Sequence, residues 1–66
     1  MKNNLRVQRA IKNITQAELA ELISVSRQTV NTIESGKYVP STVLALKMAK
    51  VFGVPVEKVF ELEKED

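Results

Sequence analysis

Sixty-six residues make one small domain, residues 1–66, near the lower limit of what folds without disulfides or metals. Cysteine and histidine are both absent, so disulfides and thiolate or imidazole metal sites are excluded, and an enzyme loses its usual general base. The net charge of +2 is unevenly spread: residues 1–56 hold eight Lys or Arg against three acids, while residues 57–66 hold two against five, a basic body suited to a polyanion with an acidic end over 61–66.

The opening MKNNLRVQ has no apolar leader and no apolar run approaches a membrane span, so a cytoplasmic protein with no membrane association is expected. No cofactor or metal is expected. A first helix is predicted over Leu5 to Lys12, capped by Asn3 or Asn4. Val7, Ala10, Ile11 and Ile14 follow the i, i+3, i+4, i+7 spacing of one helical face, which is expected to meet the core.

Thr15 followed by Glu18 is a capping box and starts a second helix, in which Ala17, Leu19, Ala20, Leu22 and Ile23 keep helical spacing. Ser24, Val25 and Ser26 interrupt it. Ser26 can cap a third helix, residues 27–35, by accepting from the backbone N–H of Gln28 or Thr29, and Gly36 ends it. Val30 and Ile33 face inward there, whereas Arg27, Gln28, Asn31 and Thr32 give the helix a polar outer face suited to hydrogen bonding in the major groove of DNA.

Lys37 to Pro40 form a loop. Ser41 caps a fourth helix that Gly53 ends, with Val43, Leu44, Leu46, Met48, Ala49, Val51 and Phe52 supplying a broad apolar face. Pro55 to Glu61 is predicted as a short fifth helix. With no convincing strand, the expectation is an all-α, compact five-helix domain.

The stretch TQAELAELISVSRQTVNTIESGKYVPS, residues 15–41, resembles the phage-repressor and Cro-type helix-turn-helix family, with the motif itself at 15–36. The resemblance rests on Thr15-Gln16, Leu19-Ala20, Val25-Ser26, Val30, Ile33, Glu34, Gly36 and Pro40-Ser41, and continues through ALKMAKVFGVPVEKVF. It implies a lambda-repressor-like fold in which the third helix enters the major groove. Arg27, Gln28, Asn31 and Thr32 would then read bases. Gln16, Lys37 and Tyr38 would contact phosphates. Thr29 is assigned there second, its first role being to close the helix start. The resemblance also suggests a scaffolding ion pair between Arg9 and Glu34. The family often has glycine where this chain has Ser24, so a modestly strained turn is expected.

The function this implies is a sequence-specific transcriptional regulator, a repressor that binds an inverted-repeat operator in double-stranded DNA as a homodimer. Val54, Val56, Val59, Phe60 and Leu62 form an apolar cluster too rich for a short helix to bury alone, and are expected to supply the dimer interface. The alternative is an antitoxin-type or other protein-binding module on the same fold, with a protein partner.

Overall fold

The computed structural model describes residues 1–66. Strand β1 (Lys2–Asn3) leads into α1 (Leu5–Lys12), α2 (Gln16–Leu22), α3 (Arg27–Glu34) and α4 (Thr42–Phe52), then a 3-10 turn (Val56–Lys58) and strand β2 (Phe60–Glu61). The two strands pair antiparallel, Lys2 opposite Glu61 and Asn3 opposite Phe60. Four α-helices and a small sheet therefore replace the expected five-helix, all-α arrangement.

The fifth helix is the element that fails. After Pro55 the chain makes a single turn closed by i to i+3 bonds, from the Lys58 N–H to the Pro55 carbonyl and from the Val59 N–H to that of Val56, both at 2.9 Å. Beyond the turn the chain extends. Its β-branched and aromatic residues, Val59 and Phe60, suit a strand, and the Asn4 N–H donates to the Val59 carbonyl at 2.8 Å.

Three helix starts carry the side-chain caps that their sequences specify. Thr15 Oγ1 accepts from the Glu18 N–H at 3.0 Å while Glu18 Oε1 accepts from the Thr15 N–H at 2.9 Å, completing the capping box. Ser26 Oγ accepts from the Thr29 N–H at 3.1 Å and Ser41 Oγ from the Leu44 N–H at 3.2 Å. At α1 it is Asn3, through Oδ1, that receives the Leu5 N–H at 3.1 Å.

All four helices end in the same way. A residue at positive φ follows each, and the next N–H reaches back to a carbonyl five residues earlier. These bonds are Ile14 to Arg9, Val25 to Ala20, Lys37 to Thr32 and Val54 to Ala49, at 2.9–3.2 Å. Gly36 (φ 83°) and Gly53 (φ 68°) hold two of the left-handed positions; Asn13 (φ 56°) and Ser24 (φ 60°) hold the others. Asparagine tolerates that backbone through its short polar side chain, while serine is the strained occupant.

The core is one cluster of Leu5, Leu19, Ala20, Ile23, Val30, Ile33, Met48, Ala49, Phe52, Val59 and Phe60. Val59 and Phe60 close the monomer's own core, which corrects their expected place in a dimer interface; Val54 and Val56 are half-buried, and Leu62 is 81% exposed.

Helix α1 also departs from expectation. Its apolar stripe points outward: Val7 is 56% and Ile11 68% exposed, Ala10 is exposed, and only Leu5 is buried. At about 100° per residue Val7 lies some 200° around the helix from Leu5. The inner face is completed by half-buried Gln8 and Arg9. Periodicity identified residues that share a face but not which face lies inside.

Candidate nucleic-acid interface

Helix α3 is held by what lies beneath it. Val30 and Ile33, 0% and 1% exposed, fix one side in the core. Arg27, Gln28 and Asn31 consequently face solvent, and the three line one shallow concavity. Asn31 lies four residues beyond Arg27 and three beyond Gln28, so the three form a continuous patch of donors and acceptors on the helix surface.

Thr32, grouped by sequence with these base readers, is placed elsewhere. Its hydroxyl donates to the Gln28 carbonyl, and the residue shares a second concavity with Thr29, Lys37, Tyr38 and Leu44. Thr29 is tied to the cap, its Oγ1 lying 2.9 Å from Ser26 Oγ. Lys37 and Tyr38 are exposed just past the end of α3.

The other flank is an open cleft where the end of α1 meets the starts of α2 and α3, lined by Arg6, Arg9, Asn13, Thr15, Gln16 and Arg27. Sequence reasoning missed Arg6, whose side chain is 85% exposed. A signal was available: Arg6 and Arg9 are three apart, so they share a face, and α1 carries no acid in its first turn.

A charged network underlies the cleft. Arg9 Nη2 donates to Glu34 Oε1 at 2.8 Å and Arg9 Nη1 to the Ile14 carbonyl at 3.2 Å, while Arg6 Nε lies 3.8 Å from the same Glu34 oxygen. The Glu34 side chain is only 3% exposed. Burial alone would raise its pKa, but hydrogen bonds from Arg9 and Gln16 and the charges of both arginines outweigh it, holding the carboxyl below its ordinary range. The expected Arg9–Glu34 pair is thus present.

Gln16 Nε2 donates both to Glu34 Oε2 and to Asn31 Oδ1, the latter at 3.2 Å. Asn3, also missed as more than a cap, donates through Nδ2 to the carbonyls of Ile33 at 3.0 Å and Glu34 at 3.3 Å, closing the last turn of α3. Chemically the assembly offers cations, amides and hydroxyls on a firm base, a set that binds polyanions and base edges. No helix is long and apolar enough to cross a membrane.

Comparison with known proteins agrees with this geometry. Residues 5–59 match the helix-turn-helix family. An uncharacterized HTH-type transcriptional regulator of Methanocaldococcus jannaschii is 52% identical over the full length of both chains, and another from Bacillus subtilis, YgzD, is 48% identical over the full length of both. Among solved structures, the SOS-response transcriptional repressor LexA of Eubacterium rectale superposes with a TM-score of 0.80 at 32% identity, over 96% of this chain and 67% of that one.

Proposed function

This chain belongs to the helix-turn-helix family of DNA-binding transcriptional regulators, not enzymes, and we propose that it is a repressor that binds an inverted-repeat operator as a homodimer. The observation carrying this reading is the outer face of α3, where Arg27, Gln28 and Asn31 stand exposed together over a buried Val30 and Ile33. A helix so displayed can enter the major groove, where arginine pairs with guanine and asparagine or glutamine with adenine. The name of the solved relative, a transcriptional repressor, supports the sign of regulation.

One α3 spans only a few base pairs, so specificity calls for two, about 34 Å apart across a two-fold axis. Of the C-terminal cluster, Leu62 with the half-buried Val54 and Val56 supplies the surface for pairing. Thr29, Thr32, Lys37 and Tyr38 on one flank and the Arg6 cleft on the other would follow the phosphates. Repression would be steric, by occupation of a site that overlaps a promoter.

One observation favours an additional protein partner, as in an antitoxin-type module: the apolar outer face of α1 at Val7 and Ile11. Selection of bound sequences from a random duplex pool separates the readings. An enriched inverted repeat supports the repressor. Absence of any enrichment would overturn it and leave protein binding.

A further inference from the structure

The hydrogen bonds around Gln16 have directions fixed by chemistry. An ionised Glu34 carboxylate can only accept, so the Gln16 group facing it must be the Nε2 amide, as observed. That nitrogen carries two hydrogens. One goes to Glu34 Oε2 and the other to Asn31 Oδ1 at 3.2 Å. Because Gln16 Nε2 can only donate, Asn31 must turn its oxygen toward it, which leaves the Asn31 Nδ2 donors on the opposite side, in the exposed patch shared with Arg27 and Gln28.

Both donors of Gln16 are therefore committed within the protein. The remaining Oε1 is an acceptor, which a phosphate oxygen repels. From this geometry we infer that Gln16 is a positioning residue for base reading: through Asn31 it fixes which edge of that amide faces the groove, and its side chain does not contact a phosphate. The chain Arg9, Glu34, Gln16, Asn31 thus runs from the partly buried ion pair to the reading surface, and makes the charge state and placement of Glu34 part of sequence preference. The inference rests on the DNA-binding reading of α3.

A double-mutant cycle on the full chain tests it. Random-pool selection on the parent first establishes a motif; a parent that enriches nothing overturns both the DNA reading and this inference. Gln16→Met keeps the side-chain length and removes both donors. Against the selected duplex and its single-base variants, Q16M should lower discrimination at one base pair per half-site by about fivefold, while the slope of log K against log salt stays unchanged. In an Asn31→Ala background the same substitution should have no further effect on that base pair.

The contrary result is a uniform loss over all sequences, equal in both backgrounds, with preference at every base pair intact; Gln16 would then be a phosphate contact, and because its amide is neutral the salt slope would not move in that case either. A second measurement needs no variant. The side-chain amide proton resonances of Gln16 should hold their shifts between free protein and complex. Displacement of both on binding would overturn the assignment.

Discussion

Arg9 and Glu34 meet at 2.8 Å, joining the first helix to the last turn of the third, and the Glu34 side chain is almost wholly buried at the junction. Truncating one member of such a pair leaves the other without compensation. Glu34→Ala should therefore destabilise the domain by about 3 kcal/mol, the low end of the range because Arg9 keeps some access to water. For a domain of this size that lowers Tm by more than about 10 °C. Thermal melts of parent and variant check it, and a shift within a few degrees would show that the pair carries little energy.

The same carboxyl sets a pH dependence. Its folded pKa lies below the ordinary value of 4.5, so its contribution is complete above that value and is lost as pH falls through the lower folded pKa. The stability difference between parent and Glu34→Ala should be constant near neutrality and shrink below about pH 4.5. Urea titrations from pH 7 to pH 3 would show this convergence; curves that stay parallel into acid would contradict it.

Ser24 occupies a left-handed position with φ of 60°, where a Cβ is unfavourable. Ser24→Gly removes that strain but adds flexibility to the unfolded chain. The balance should be a gain of about 0.5–1 kcal/mol, with DNA affinity unchanged. A loss of stability in denaturant titration would mean that the serine makes a compensating contribution.

Val59 and Leu62 divide the C-terminal cluster by consequence. Val59 is 0% exposed, so Val59→Ala should cost about 2 kcal/mol of stability through lost burial and a small cavity. Leu62 is 81% exposed, so Leu62→Asp should leave the monomer's stability nearly unchanged while weakening dimerisation. Sedimentation at several concentrations distinguishes them, and an unaltered association constant for Leu62→Asp would place the interface elsewhere.

Arg27→Ala should cost about 1–3 kcal/mol on a cognate site and relax preference at one base pair. Lys37→Ala should weaken binding to all sequences alike and reduce the salt slope by about one. Fluorescence anisotropy on cognate and scrambled duplexes at several salt concentrations separates the two patterns. Indistinguishable patterns would mean that Arg27 is only another phosphate contact.

The local signals in the sequence were the most legible. Thr15, Ser26 and Ser41 act as caps because a hydroxyl before an amphipathic run has one favourable use, and the left-handed stops at Gly36 and Gly53 are equally local. Non-local features were less so. Nothing within Val7, Ala10 and Ile11 says that the inner face of α1 belongs to Leu5 and the half-buried Arg9, because that follows from where Glu34 lies. The pairing of Lys2–Asn3 with Phe60–Glu61 joins segments too short to announce themselves as strands. Gln16 reads as an ordinary first-turn residue until its two acceptors are in view.

Asn3 closes the last turn of α3 from 30 residues away, and it is held there by pairing with Phe60 across almost the whole length of the sequence. That contact spans one of the longest loops in the domain, and closing a loop costs entropy that nearby contacts do not. On a ribosome, Arg27 to Glu34 are made well before Phe60 and Glu61. Until those residues arrive, β1 has no strand to lie against, and the carbonyls of Ile33 and Glu34 are left to water. A chain interrupted before β2 would carry Arg27, Gln28 and Asn31 on a helix with an unfastened end, so the firm placement of the face proposed to read DNA is a late product of synthesis.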